Sequence, residues 1–172
     1  PGTRKILAFT DNRQDAALQA GHFNDFLFVT LLRGAILAGL TAAGDEGLQD
    51  TEIGQAIQRM LGLVSANIGR RTEWLVEPDL RGANLLNAER TMRDALTHRF
   101  WIDQRRGWRY TNPNLEQLGL IEATYLSLDE LAGRDEEFED TPILSAASPD
   151  ERALALLALL AGMRQGLAVQ CD

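Results

Sequence analysis

The sequence predicts a mainly α-helical fold with a few short strands, an α+β arrangement, and three features carry that prediction. Apolar residues recur at helical spacing over long stretches, glycines fall at the breaks between them, and Ser, Asp and Asn start signals stand ahead of them. At 172 residues and 45% hydrophobic content, the chain can bury one core, or one core and a small appendage.

Residues 5–9 form a short apolar run with one charged end, which predicts a buried strand. From Gln14 to about Ala43 the pattern is helical, with Ala16, Ala17, Ala20, Phe23, Leu27, Leu31 and Ile36 among its apolar positions. After Phe26 this helix is apolar nearly all round, which predicts a place at the centre of the core. Gly44 and Gly47 flank a break, and Asp50 or Thr51 is placed to cap a second helix carrying Ile53, Ala56, Ile57, Met60, Leu61 and Val64. Residues 65–86 contain Gly69, Pro78 and Gly82 and no sustained period, so they predict a loop with a short extended piece around Trp74-Leu75-Val76.

Asn87 is placed to cap a third helix to about Gln104, burying Ala88, Met92, Ala95 or Leu96, and Trp101. Gly107 breaks it, residues 108–111 and 121–126 read as brief strands, and between them Asn112-Pro113 starts a turn that Gly119 closes. Ser127-Leu128-Asp129-Glu130 has the spacing of a capping box. Residues 133–147 are acidic and predict an exposed connection. Ser148-Pro149-Asp150-Glu151 then opens a helix rich in alanine and leucine that runs to about Gln165 and ends at Gly166.

Composition removes several kinds of chemistry. The one cysteine, Cys171, excludes a disulfide within the chain, and with two histidines, His22 and His98, a zinc site has too few soft ligands. The nearest candidate for a membrane span, residues 26–40, is short and carries Arg33 and two glycines, so the expected setting is the cytoplasm with no membrane partner. The net charge of −8 hides an asymmetry. Residues 89–109 hold six arginines against three acids, whereas residues 116–151 hold eleven acids against one arginine. A local basic face on an acidic body is the expectation.

A helix followed by two strands over residues 87–126 has the order found near the recognition helix of a winged-helix module. Arg93, Arg99, Arg105 and Arg106 would meet phosphates there, and Trp108 or Tyr110 would stack on a base. The plainer reading is a solvated arginine face with the aromatics in the core. Catalytic constellations are thin: no Gly-x-x-x-x-Gly-Lys-Ser/Thr loop is present, and the sole lysine is Lys5. Asp129-Glu130 reads better as part of a cap than as a metal-holding pair, and His22 has no evident catalytic partner. Asp11, Asp15 and Asp25 would cluster only if the fold turned Asp25 back toward residues 10–14.

The opening run, ILAFTDNRQDA, continued by LQAGHFNDF and later by RYTNPNLEQLGL, resembles large bacterial superfamily 2 DEAD/DEAH-box helicases, related to the family with a C-terminal metal-binding cysteine cluster. Phe9 to Ala16 is similar to motif IV, at the start of the second RecA-like motor domain. The resemblance implies an ATP-dependent DNA helicase or translocase, and it implies that Thr10, Asp11, Asn12 and Arg13 lie near the DNA backbone or the interdomain cleft. A strand-to-helix elbow suits that role, because it aims backbone N–H groups at a phosphate. The simpler reading is that Asp11 or Asn12 caps the helix.

The phosphate loop, the DEAH-type metal motif and the arginine-finger motif are absent from this sequence; Asn67-Ile68-Gly69-Arg70-Arg71 is the nearest approach to the last. These are the parts that hold ATP and magnesium and stabilise the transferring phosphate. The expectation is therefore a part of such a helicase. Residues 1–43 would be the opening strand and helix of the motor domain, and residues 44–172 a helical insertion or accessory module. No catalytic residue, metal or cofactor is expected within it, since ATP and Mg would bind elsewhere in the parent protein. Its expected partners are DNA and the remaining motor domains. The rival is a non-enzymatic winged-helix-like regulatory module that binds DNA or protein, and a third reading has the acidic stretch of residues 129–140 dock another protein.

Overall fold

The computed structural model describes residues 13–106 and 113–166. Its elements are α1 (Arg13–Ala43), α2 (Asp50–Met60), α3 (Arg71–Trp74), α4 (Gly82–Arg106), α5 (Leu128–Ala132), α6 (Pro142–Ser145) and α7 (Pro149–Gln165). Three short 3-10 turns, Gly44–Glu46, Ile68–Arg70 and Asp135–Phe138, interrupt the connections. The chain is mainly helical, and no strand occurs among the described residues.

Helices α1, α2 and α4 enclose the core. Leu32, Ala35 and Ile36 of α1 meet Ile53 and Ile57 of α2 and Leu96 and Phe100 of α4, with Leu115 sealing one side. Burying such side chains contributes roughly 1.5–3 kcal/mol each, so these residues decide the fold. Close approach of the helices depends on glycine at two points. Gly39 lies against Ala56 and Leu48, and a Cβ at Gly54 would fall on the Arg93 carbonyl and the Thr97 hydroxyl. Arg33, on the buried side of α1, donates from Nε and an Nη to Asp103 of α4 and from the same Nη to the Pro113 carbonyl, at 2.9–3.2 Å.

The C-terminal elements form a second, smaller cluster. Helix α5, the turn Asp135–Phe138 and α6 wrap the first turns of α7, with Ala132 and Phe138 buried. At its centre stands Arg152 of α7, 3% exposed, whose guanidinium donates to the carbonyls of Leu144, Ala132 and Ser145 and to Asp135. It also lies 4.9 Å from the Phe138 ring centroid. Farther along α7, Arg164 grips both carboxylate oxygens of Glu116 at 2.9 Å and the Tyr125 hydroxyl at 3.3 Å, tying this cluster to the α4 side.

Several expectations need correction. The half of α1 before Leu31 is not central to the core: Phe23, Leu27 and Leu31, expected inside, are 46, 44 and 60% exposed, and the buried stripe is Leu32-Ala35-Ile36. A helix apolar all round carries no pattern that selects its buried face. The stretch Ala20–Glu46 is long and apolar enough to cross a membrane by length and composition, although its later half packs into the core instead. On α2 the expected stripe holds at Ile53, Ala56 and Ile57; Met60 is exposed, and Leu61 and Val64 lie beyond the helix end. Its start lies one residue before Asp50, at Gln49, whose backbone N–H donates to Glu52.

Helix α4 begins at Gly82, not Asn87. Gly82 has φ of +55°, which stops the chain there, and nothing between it and Asn87 interrupts a helix. Residues 65–86 hold the turn Ile68–Arg70 and α3 in place of a plain loop; Leu75 is extended at the α3 end, with no strand pairing. Residues 121–125, expected as a strand, have no regular structure, and their expected partner, residues 108–111, lies outside the described residues, as does the run 5–9.

Ser127 adopts a left-handed conformation (φ 59°) with no side-chain cap, so the predicted box there does not form. A capping box needs extended backbone at its first residue. Ser148 has that backbone and makes its box with Glu151. Asn112 lies outside the described residues. Asn114 and Gln117 make the reciprocal pair at that turn, and Gly119, with φ of +68°, closes it as expected. The acidic stretch 133–147 is largely exposed, as expected, but holds the turn Asp135–Phe138 and α6 and buries Phe138.

Candidate nucleic-acid interface

Ten residues were singled out by sequence as nucleic-acid contacts, and the structure describes the side chains of three, Arg93, Arg99 and Arg105. Thr10, Asp11, Asn12 and Trp108 lie outside the described residues, as does Tyr110. Arg13 opens α1 and Arg106 closes α4, and their side chains also lie outside the description. Arg99 and Arg105 are both exposed on α4. Arg90 joins them at the surface, while Arg93 is half-buried.

These arginines do not form one stripe. Six residues separate Arg99 from Arg105, which turns them roughly 120° apart around the helix axis. Arg99 leans toward α1, its guanidinium carbon 5.8 Å from the centroid of the Phe28 ring, at the edge of a groove between α1 and α4. Asn24, Leu27, Phe28, Ile102 and Asp103 also line the groove, whose volume is about 620 Å³. Asp103 there is committed to Arg33, so its negative charge is neutralised. Arg13 stands fifteen residues before Phe28, which puts about 22 Å of helix between the two.

Hydrolysis parts are not assembled among the described residues. Arg70, in the nearest approach to an arginine-finger motif, donates to the Leu61 carbonyl at 2.6 Å and to Glu73 at 2.8–3.0 Å. Its hydrogen bond to Glu73 raises its pKa further and lowers that of Glu73. Arg71 holds the Ser65 carbonyl, so both guanidiniums brace a turn. No group of three or more His, Cys, Asp or Glu able to hold a metal ion occurs among the described residues.

The structure also brings together groups that pattern reading missed. Arg33 with Asp103, and Arg164 with Glu116 and Tyr125, are pairs separated by 70, 48 and 39 positions in sequence. For Arg164, burial acts to lower the pKa, but the hydrogen bonds it donates to Glu116 and Tyr125 and their charges prevail and raise it. The available signal was a lone arginine within an apolar helical stretch, which marks a paired charge without naming its partner. No protein family, curated protein or solved structure matches this chain.

Proposed function

We propose that this chain is part of a bacterial ATP-dependent DNA helicase or translocase, in which residues 1–43 open the second motor domain and residues 44–172 form a helical accessory module. The observation that supports the reading is the apolar surface left exposed around the first two-thirds of α1. Leu18, Phe23, Phe26, Leu27, Phe28 and Leu31 are between 44 and 65% exposed on two consecutive thirds of one helix. Helices that cover a parallel sheet carry such a surface, because the sheet is apolar on both faces. The remaining motor domain is the occupant this reading supplies, and the motif IV residues Thr10, Asp11, Asn12 and Arg13 then sit at the edge of the DNA track.

In that arrangement α4 lies beside the track and Arg99, Arg105 and Arg106 add phosphate contacts, with Trp108 available to stack. The chain alone turns over no ATP, since the phosphate loop, metal motif and arginine finger belong to other parts of the parent. The setting is cytoplasmic and no membrane takes part. The rival, a freestanding winged-helix-like regulator, keeps α4 as its recognition helix but needs wing strands, and residues 121–125 supply none.

Fluorescence anisotropy with single-stranded and duplex DNA at low and moderate salt tests the reading, beside a variant with Arg99, Arg105 and Arg106 changed to Ala. Binding should weaken with salt, and the slope of log K against log salt should fall by about 0.9 for each arginine that meets a duplex phosphate. No binding at low salt, or a variant that binds as the parent does, would remove α4 from the DNA track.

A further inference from the structure

The hydrophobic core ends at Ile121. Its buried residues, and those packed on them, lie between Leu32 and Ile121, and among the described residues none comes from later in the chain. Residues 128–165 form a unit with its own centre, Arg152 with Ala132 and Phe138. Residues 153–163 of α7 are all alanine, leucine, glycine or methionine, yet the side chains that this helix buries are Arg152 and Arg164. Leu154, Leu157, Leu159 and Met163 are 42–67% exposed, and α7 packs mainly on α5 and less on α4. Where the interface between two units is neither large nor apolar, relative motion is the default.

The joint between the units is open where it could be packed. A cavity of about 230 Å³ lies there, with Ile36, Leu40, Ile53, Phe100 and Trp101 on the core side and Arg164 on the α7 side. Atoms that line a void forgo dispersion contacts, so these apolar surfaces add little to holding the joint. The side-chain bonds that cross it are polar. Arg164, 7% exposed, reaches both carboxylate oxygens of Glu116 and the Tyr125 hydroxyl. Glu116 belongs to the core side, since its neighbour Leu115 is part of the core.

The chain between the units suits a hinge. Residues 121–125 have no regular structure, and left-handed backbone stands on either side of them, at Gly119 (φ +68°) and Ser127 (φ 59°). Hinges are a few loop or element-end residues that absorb large backbone changes. A left-handed serine is held against its preference, so rotation at Ser127 toward ordinary backbone relieves strain there. We propose that residues 128–165 swing as one arm about residues 119–127, and that the bonds of Arg164 to Glu116 and Tyr125 are the latch that keeps the arm closed over the cavity. Opening the latch bares Phe100 and Trp101.

Double electron–electron resonance on the whole chain tests the proposal, with spin labels on Gln55→Cys of α2 and Leu159→Cys of α7, both exposed sites, in a Cys171→Ser background. Arg164→Ala removes the latch without adding an apolar contact. It leaves Glu116, 29% exposed, within reach of water, so the variant should fold. A second, displaced distance should appear, its share about tenfold or more above that of the parent, as the loss of hydrogen bonds to a charged group implies. Glu116→Gln, which keeps an acceptor and loses the charge, should fall between. Amide exchange separates opening from unfolding: protection within α5, α7 and residues 32–57 should stay at the parent level in both variants. The proposal is overturned if Arg164→Ala gives the parent's distance distribution. It is overturned equally if the α7 amides of that variant lose protection, which would make the pair a clamp on the fold.

Discussion

Arg33 and Asp103 show how one ion pair fixes the register of two long helices. Asp103 is 5% and Arg33 18% exposed, so water screens the pair little, and the third acceptor, the Pro113 carbonyl, completes the guanidinium. Removing one partner leaves a buried charge, which costs on the order of 3–5 kcal/mol, whereas replacing both with apolar side chains is close to neutral. Asp103→Ala should therefore destabilise by about 3 kcal/mol in urea melts, and Arg33→Met with Asp103→Leu should recover most of that loss. A double variant no better than the single one would mean that the pair does not act as a unit. The pairing was invisible in the sequence, because seventy positions separate its members and helical periodicity speaks only of neighbours.

Contact between α2 and α4 depends on a missing side chain. Alanine at position 54 would gain about 1 kcal/mol in helix propensity over glycine, yet its Cβ would lie 2.5 Å from the Arg93 carbonyl oxygen. Backbone on a packed helix cannot step aside, so overpacking should win and Gly54→Ala should lower stability by roughly 1–3 kcal/mol. Adding Thr97→Ala relieves only the hydroxyl and should restore a minor part, as thermal melts of the pair would show. The start of α7 makes a separate point about pH. The Ser148 backbone N–H and then its hydroxyl donate to the Glu151 carboxylate and hold its pKa below the ordinary value. A depressed folded-state pKa contributes stability above the unfolded value, near 4.3, and that contribution is lost as pH falls through the folded value. Circular dichroism from pH 6 to pH 3 should show part of the acid transition disappear in Glu151→Gln; an unchanged transition would show that the cap adds nothing to it.

At the scale of the whole molecule, two clusters of unequal kind share the chain. One is an apolar core of three helices; the other is gathered around the Arg152 guanidinium. Asp135 is 86% exposed, so its ion pair counts for little, and the bonds to three carbonyls do the holding. Arg152→Met should cost about 3 kcal/mol by removing the guanidinium donor to the Ala132 and Ser145 carbonyls, while the Leu144 carbonyl keeps the Ala147 N–H. Hydrogen exchange should rise most over residues 128–146 and least over residues 32–57, and a uniform rise would mean that the two clusters unfold as one. Sequence made the helical class, the α2 stripe and the Ser148 box legible, because each rests on local spacing. It misplaced the buried face of α1, where apolar residues on every side leave no contrast. It read residues 133–147 as an exposed connection, which they largely are, but missed the buried Phe138, because Phe138 and Arg152 are meaningful only as a pair. Of the candidate interface it located the exposed arginines of α4; their spread around the helix became visible only in three dimensions.

The cations that tie the helices together share one further property. Arg33, Arg152 and Arg164 are arginines, and the whole chain has a single lysine, Lys5. Amine-directed labelling thus leaves every internal tether intact, so a dye or surface linkage attached that way reports on a folded molecule. Dicarbonyl reagents, which seek guanidinium groups, would sort the arginines by accessibility: Arg99 and Arg105 would react early, and the three tethers only once the helices part.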